Sequence, residues 1–467
     1  MPGEKKAVYA LIGLFAVLLY ITAVMTDGTG DSGDSVMHYL FSRYAFDHPQ
    51  NFLDHWAKPL FVLVSAPFAQ FGFTGMKLFN CTVALLTAVF VFRVAASLGI
   101  RPAWVAPLLL FFSVEYAVLI FSGLTEPLFG LGLTLGVYCA LSGRRLCSAL
   151  VISFLPFVRS EGWIIMGVFA LFFVWKKHWK MLPVLLAGHL VYTLAGFLSG
   201  KEILWVFIQN PYANGSSPYG SGSLLHYAGL LPYVLGVPVC LLFCFGLIRL
   251  IYLLFSGGHK RVALFTEELL LVYGCFFALF FAHSLFWWLG LFNSAGLSRV
   301  LLSVVPLAAL IAARGFEGLS ARLLRNDKAA VALRSLLLVY VMIFPFTPNP
   351  AAIDISRDLS RMPDQRLADE LAAEIKARYT GRKHYYEHNY LSMALDIDPF
   401  DKALQEGLKR VREPGAVPPG SLIIWDDWYA PVQAGIMLEE LRRDTAAYTE
   451  VWNKSREGRQ LVLFTKN

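Results

Sequence analysis

Residues 27–60, which read DGTGDSGDSVMHYLFSRYAFDHPQNFLDHWAKPL, decide how the chain is interpreted. They follow the first apolar segment and gather acids, histidines and a lysine in one loop at a predicted water–membrane boundary. Asp31 and Asp34 precede residues 35–46, which have the pattern of a short interfacial helix. Asp34 is therefore expected near a helix N-terminus, where a carboxylate can cap backbone N–H groups. His38 follows one turn later and shares a helix face with Asp34.

The composition is that of a polytopic membrane protein. Of the 467 residues, 57% are hydrophobic and 16% are charged, which is more apolar material than a soluble core can bury. The net charge of +7 arises from short Lys and Arg clusters between apolar runs, a pattern typical of cytoplasmic loops near anionic lipid and not of nucleic-acid binding. The six cysteines lie in or beside apolar runs, so we expect no disulfide in the extramembrane parts.

Eleven apolar segments are predicted to span the membrane. Basic residues follow every second segment, which predicts a cytoplasmic N-terminus and places loop 27–60 and the tail after residue 346 outside the cytoplasm. Residues 58–71 are short and contain two prolines, so a re-entrant or interfacial helix is expected there. Residues 224–255 are interpreted as one span, because dividing them would place the basic cluster at residues 314–334 outside the cytoplasm. The predicted spans are 7–26, 76–98, 103–121, 127–142, 146–158, 162–175, 182–198, 227–255, 269–289, 297–313 and 333–346.

Two domains are predicted. Residues 1–346 form the transmembrane domain, and its first outer loop, 27–75, holds the candidate site. Residues 347–467 are charged and turn-rich, which indicates a soluble extracytoplasmic α/β domain. Within this tail, the apolar patterns predict helices at 363–379 and 435–443 and strands at 421–425 and 460–465.

The chain resembles the GT-C superfamily of glycosyltransferases, which take sugars from polyprenyl phosphates, and within it the protein O-mannosyltransferase and aminoarabinose transferase branches. In that superfamily an acid after the first span precedes a juxtamembrane helix, and a Lys-Pro stretch opens the next apolar segment. Asp34 and the run Lys58-Pro59-Leu60 match these two elements, whereas Ser35 stands where the family often has a second acid. Segments 122–128, 159–162, 296–299 and 424–427 are similar to further family motifs in the expected order.

The resemblance implies a polytopic α-helical, GT-C-like fold with about eleven transmembrane helices and a C-terminal α/β domain, in a bacterial inner membrane. It implies transfer of a hexosyl, pentosyl or mannosyl-type sugar from a polyprenyl-phosphate donor to a hydroxyl of a lipid, glycan or protein. Asp34 would be the general base, with Asp31 as a second catalytic candidate. The chemistry needs such a base, and cations for the charge that grows on the phosphate. A flippase for lipid-linked sugars is the alternative, although the inverted repeats of many transporters are not seen.

Further candidates lie on the same predicted membrane face. Arg299 is the first candidate for the phosphate, or else a snorkelling interfacial arginine. Lys58 either binds the phosphate or marks the headgroup level. Arg159 and Glu161 either contact the substrate or pair with each other across a tight turn.

Two acids and a loop complete the candidate site. Glu126 either contacts sugar hydroxyls or begins a helix, and Glu115 lies inside a span, where an acid is costly and often functional. Loop 199–223 is rich in Gly and Ser, which is typical of a lid or of a solvated linker. No cofactor is predicted, although an oxygen-rich site of this kind is compatible with Mg²⁺ or Mn²⁺. The remaining substrate-binding candidates are His38, His55, Tyr212 and Tyr219.

Overall fold

The computed structural model describes residues 2–209, 211, 219–322 and 327–467. Within these residues, six helices are long and apolar enough to cross a membrane, and five apolar helices are shorter. The predicted polytopic α-helical fold is therefore confirmed. The six long helices are Lys6–Met25, Gly72–Ser97, Trp179–Leu198, Val237–Phe255, Phe265–Leu289 and Ser298–Leu319, and the shorter ones are Pro59–Ala69, Glu126–Leu141, Arg145–Phe157, Gly162–Trp175 and Val331–Phe346.

The α-helices of the membrane domain follow one another with short connections. The first ten are α1 (Pro2–Met25), α2 (Asp34–Arg43), α3 (Pro59–Ala69), α4 (Gly72–Ser97), α5 (Val105–Phe111), α6 (Val114–Leu119), α7 (Glu126–Leu141), α8 (Arg145–Ser153), α9 (Gly162–Trp175) and α10 (Ala187–Leu198). The next seven are α11 (Trp205–Ile208), α12 (His226–Leu235), α13 (Val237–Phe255), α14 (Phe265–Glu268), α15 (Cys275–Leu289), α16 (Val305–Arg322) and α17 (Asp327–Ile343). A 3₁₀ helix, Ser298–Val304, leads into α16.

Two predicted spans are each divided into two helices. The span predicted at 227–255 breaks at Gly236, whose φ of 75° and ψ of 145° suit a residue without a side chain. α13 then begins with Val237-Pro238, since proline is tolerated in a first helical turn. The span predicted at 103–121 breaks at Ser113, where the backbone is extended. α12 has only 10 residues and is too short to cross alone, so this break does not change the side on which later loops are expected.

α16 is the most deeply buried of the long helices, and it packs against α13 through glycine. A Cβ added to Gly315 would lie 1.9 Å from the Leu242 carbonyl oxygen, and one added to Gly246 would lie 2.1 Å from the Ile311 carbonyl oxygen. The two backbones therefore approach each other at a distance that only glycine allows, as is common between membrane helices.

Gly315→Ala is expected to destabilise the membrane domain by about 2 kcal/mol, because the new methyl group forces the two helices apart. Gly167→Ala in α9 is the matched control, since a Cβ added there meets nothing within 4 Å. Thermal unfolding in detergent would measure both variants. Equal midpoints for the two variants would contradict the described packing.

The C-terminal domain is a five-stranded sheet with helices. The sheet order is β2-β1-β3-β5-β4, with β1 parallel to β2 and β3, and β5 antiparallel to β3 and β4. The predicted small α/β domain is thus confirmed, although α21 begins three residues later than the predicted helix. The elements are α18 (Ile355–Asp358), α19 (Pro363–Arg378), α20 (Tyr390–Leu395), α21 (Leu438–Arg443), β1 (His384–Tyr385), β2 (Gln405–Glu406), β3 (Leu422–Asp426), β4 (Tyr448–Arg456) and β5 (Arg459–Lys466).

Candidate active site

Arg299 joins the two acids of the first outer loop. It lies in the 3₁₀ helix before α16, its Nη1 donates to Asp31 Oδ2 at 2.6 Å, and its Nη2 donates to Asp34 Oδ2. A planar guanidinium is suited to such paired contacts with carboxylates. The structure therefore brings Arg299 to two predicted site residues that lie 265 and 268 positions before it in the chain.

Asp31 and Asp34 differ in their hydrogen bonds and in their exposure. Asp31 Oδ1 accepts hydrogen bonds from the backbone N–H groups of Gly33 and Ser35, both at 2.9 Å. The prediction that Asp34 caps the helix is wrong, because α2 begins at Asp34 itself. The carboxylate of Asp31 instead accepts from a backbone N–H in the first turn of the helix. The Asp34 side chain is 48% exposed, against 28% for Asp31. Asp34 is thus the more accessible of the two acids.

Burial and nearby charge together shift the pKa values of the two acids in opposite directions. Burial is the largest influence on both carboxyls and favours their neutral forms. For Asp31, burial prevails over Arg299 and the pKa is raised. For Asp34, the attraction of Arg299 and other cations prevails over burial and the pKa is lowered. Asp34 is therefore ionised at neutral pH.

His38 is buried beside Asp34 and is neutral. Burial lowers its pKa to about 3, in spite of the nearby Asp34 charge. Its Nδ1 lies 2.8 Å from the backbone carbonyl oxygen of Asp34, so that this nitrogen carries the hydrogen and donates it. The ring also packs edge-on against Trp56, with centroids 5.0 Å apart. His38 shares the predicted helix face with Asp34, but it bonds to the backbone of that residue and not to its carboxylate.

Arg159 organises a second cluster of predicted residues. Its Nη1 lies 2.7 Å from Glu126 Oε1 and its Nη2 donates to Glu161 Oε1 at 2.7 Å. Arg159 and Glu161 thus do pair across their turn, and Glu126 joins them from the start of α7. The Arg159 charge, prevailing over burial, lowers the pKa of Glu161 to about 2. Glu126 Oε2 and Arg159 Nε are both buried without a hydrogen-bond partner among the described residues.

Lys58 lies beside the turn that holds Arg159 and Glu161, within reach of the Asp34 charge. It is 6% exposed, and its Nζ donates to Ser160 Oγ at 3.2 Å and to the His55 carbonyl oxygen at 3.4 Å. Its positive φ of 69° is unusual for a lysine, and such backbone strain is often kept at functional sites. Burial lowers the pKa of Lys58 to about 8, although the charges of Glu161 and Asp34 oppose this shift.

The remaining predicted residues lie around these clusters. His55 Nε2 bonds to the Val206 carbonyl oxygen at 3.0 Å, which ties the first loop to α11. Glu115 Oε1 accepts from Ser298 Oγ at 2.5 Å, beside Arg299, and Glu115 Oε2 is buried without a partner among the described residues. Burial and the Asp34 charge raise the pKa of Tyr219, which places that ring near the acids. Tyr212 lies outside the described residues, so its role stays a prediction.

Ser35, in α2, links the acid loop, residues 27–33, to the loop before α7. Its Oγ accepts from the Gly123 N–H at 2.7 Å and donates to the Thr29 carbonyl oxygen. A Cβ added to Gly123 would lie 2.3 Å from the Ser35 carbonyl oxygen, so a glycine is needed at that contact. Ser35 is thus buried, and its short hydroxyl side chain makes two hydrogen bonds.

Sequence reasoning missed two residues of the C-terminal domain that reach the acid loop. Gln365 Nε2 donates to the hydroxyls of Thr29 and Ser32, and the hydroxyl of Tyr429 lies beside Gly33. Neither residue belongs to a motif, and each is hundreds of residues from the loop it contacts. Within the described part of the chain, no group of three or more His, Cys, Asp and Glu is arranged to hold a metal ion, and the cofactor prediction stays a prediction.

Comparison with known proteins gives a likeness in structure alone. No family model matches the sequence, and no curated protein matches it. ArnT from Cupriavidus metallidurans bound to undecaprenyl phosphate is similar with a TM-score of 0.63 and 12% identity, covering 97% of each chain. The apo state of the same ArnT is similar with a TM-score of 0.64 and 11% identity, covering 98% of each chain. This chain therefore shares the fold of ArnT from Cupriavidus metallidurans along nearly its whole length.

Proposed function

We propose that this protein is an integral-membrane glycosyltransferase that moves a sugar from a polyprenyl-phosphate donor to an acceptor hydroxyl, with Asp34 as the general base. The observation that carries the proposal is the position of Asp34: partly exposed, paired with Arg299 and near the buried Lys58. The fold supports the class of donor, because one of the two similar ArnT structures contains undecaprenyl phosphate. The outer face of a bacterial inner membrane is the proposed location, from the distribution of basic loops.

The proposed reaction is a single displacement. The acceptor hydroxyl gives its proton to the Asp34 carboxylate while its oxygen forms a bond to the anomeric carbon. The bond between that carbon and the donor phosphate oxygen breaks, and the electron pair leaves with the polyprenyl phosphate. A phosphate is already a good leaving group, so the second carboxylic acid of a glycosidase is not needed. The configuration at the anomeric carbon would be inverted.

Lys58 and Arg159 are the proposed ligands of the donor phosphate. Arg299, the first candidate from sequence, uses both terminal nitrogens on Asp31 and Asp34, so we assign it mainly to orienting the acids. Lys58 lies directly before α3, whose N-terminus adds a partial positive charge. Arg159 also uses both terminal nitrogens on acids, Glu126 and Glu161, but its buried Nε keeps a hydrogen to donate. A phosphate between these groups would receive cationic stabilisation as it departs.

Glu126 and Glu115 are proposed to hold the sugar. Each has one buried carboxylate oxygen without a partner among the described residues. An unsatisfied buried acceptor costs about 1–3 kcal/mol, and sugar hydroxyls would remove that cost. Both acids lie near Arg299, and Glu115 accepts a hydrogen bond from Ser298, the residue before Arg299 in the chain. The sugar would thus occupy the space between the Arg299 and Arg159 clusters.

The test is reconstitution of the purified protein in liposomes with polyprenyl-phosphate sugars. We expect release of free polyprenyl phosphate that depends on an added acceptor and yields a glycosylated product. Movement of the sugar lipid across the bilayer without any release of polyprenyl phosphate would favour the flippase instead. Neither release nor movement with any donor of this class would contradict the proposal.

The rate of transfer is expected to fall above about pH 8, because the Lys58 ammonium, with its pKa lowered to about 8, loses its charge there. Below that pH the lysine is charged and can bind the phosphate. Lys58→Arg keeps a positive charge at every accessible pH, so this alkaline fall should disappear in the variant. Transfer rates of the wild type and of Lys58→Arg, measured from pH 5 to pH 10, test this. If the rate falls at the same alkaline pH in both proteins, Lys58 is not the cause of the fall.

A further inference from the structure

The acid loop, residues 27–33, is bonded to the C-terminal domain along its length. The Gly28 N–H donates to the Leu359 carbonyl oxygen at 2.9 Å. Gln365 Nε2 donates to Thr29 Oγ1 at 2.6 Å and to Ser32 Oγ at 2.9 Å. Gln365 is fully buried, at 0% exposure. One buried amide therefore holds both hydroxyls of the loop, on either side of Asp31.

Gln365 is itself held in place. It lies in the first turn of α19, and its Oε1 accepts from the Met362 N–H at 3.2 Å. The apolar face of α19 packs in the same hydrophobic cluster as α2, the helix that Asp34 begins. α19 and α2 therefore share one core, and a contact from Gln365 fixes the acid loop relative to the helix that follows it. The residues in this shared core include Val36, Leu40, Leu367 and Leu371.

Tyr429 reaches the acid loop from a second part of the domain. The Asp426 carboxylate accepts from the backbone N–H of Tyr429 and from those of its two neighbours, which fixes the turn after β3. The Tyr429 hydroxyl lies 3.1 Å from the position that a Cβ on Gly33 would take, and Asp31 Oδ1 lies 3.9 Å from the same point. The hydroxyl and the carboxylate thus border one small volume, which a side chain at position 33 would fill.

We propose that the C-terminal domain is part of the catalytic machinery, with Gln365 and Tyr429 as positioning residues that hold the acid loop so that Asp31 and Asp34 both meet Arg299. This inference rests on the proposed function. The loop reads DGTGDSG and contains three glycines, so without these contacts its backbone would adopt many conformations. A displacement of about 1 Å in a catalytic group can cost about a hundredfold in rate. Through these contacts the domain influences the rate of transfer by positioning the two acids.

The kinetic test compares two variants with matched controls in the same domain. Gln365→Leu is expected to lower kcat at least about tenfold, and Tyr429→Phe several-fold, with the KM for the donor unchanged within about twofold. Gln405→Leu and Tyr385→Phe are the controls, because their polar groups bond to the Tyr386 and Ala416 carbonyl oxygens within the domain. Wild-type kcat in both test variants, or equal losses in the controls, would overturn the inference.

A second measurement does not depend on sugar transfer. Hydrogen exchange of the Gly28, Gly33 and Ser35 amides, all bonded within or to the acid loop, should be at least about tenfold faster in full-length Gln365→Leu than in Gln405→Leu. Equal exchange in the two variants would overturn the positioning role. If exchange is faster in Gln365→Leu but the wild type transfers no sugar, Gln365 still holds the acid loop and only the proposed function is contradicted.

Discussion

Asp34→Asn is expected to lower the rate of sugar transfer about a thousandfold, while the amount of folded protein stays the same. The amide cannot take the proton of the acceptor hydroxyl, and general-base catalysis typically contributes about 10²–10⁴-fold. The folded state should tolerate the change, because the Asp34 side chain is half exposed and does not cap α2. The measurement is product formation from a polyprenyl-phosphate sugar in liposomes, at donor concentrations that saturate the wild type.

Asp31→Asn is the matched control for this prediction. It makes the same chemical change on the other acid bound to Arg299, and asparagine can still accept from the Gly33 and Ser35 N–H groups as a helix cap. We expect a loss of about tenfold or less, since Asp31 orients the loop and does not take the proton. A larger loss at Asp31 than at Asp34 would reverse the two assignments, and full activity of Asp34→Asn would remove the proposed base.

Arg299→Gln is expected to lower transfer about a hundredfold at neutral pH and to move the acid side of the pH–rate profile upward. In the wild type the guanidinium holds the pKa of Asp34 below its usual range, against the effect of burial. Without it, the effect of burial on Asp34 is opposed by fewer charges, and Asp31 and Asp34 also face each other as like charges. The pKa of Asp34 therefore rises and the base is protonated at a higher pH. Activity should therefore be lost earlier as the pH falls. Initial rates from pH 4 to pH 8 would show the shift.

A double variant separates the charge effect from a general disturbance. Asp31→Asn combined with Arg299→Gln removes the repulsion between the acids but leaves the effect of burial, so its acid limb should move back only part of the way toward the wild-type position while its rate stays low. Arg299→Lys keeps the charge but not the paired contact, and an intermediate rate with little shift is expected. An acid limb that is the same in Arg299→Gln and the wild type would show that Arg299 does not control the ionisation of Asp34.

The fold was predictable where it depends on long apolar runs and on charge. The helical membrane domain, the short α3 and the main strands of the tail all follow from hydrophobic length and periodicity. The break at Gly236 was missed, because glycine is common in membrane helices and the whole run 227–255 is apolar. The division at Ser113 was missed for the same reason, since a change in backbone direction leaves hydropathy unchanged.

The site was predictable as a set of residues but not as a set of pairs. Asp34, Arg299 and Lys58 were each candidates, yet nothing in the sequence indicates that Arg299 binds both acids across 265 or more positions. The cap was assigned to Asp34 because the helix was expected to begin one residue later than it does. Gln365 and Tyr429 carry no motif, and their contacts with the acid loop depend on how the C-terminal domain sits on α2.

A density map of the protein in a lipid nanodisc with a polyprenyl phosphate tests the central claim most directly. We predict a phosphate within about 3 Å of Lys58 Nζ, on the side from which the Asp34 carboxylate is open, with the polyprenyl chain against the apolar helices. A phosphate bound out of reach of both Lys58 and Arg159, with Asp34 facing only water, would contradict the account.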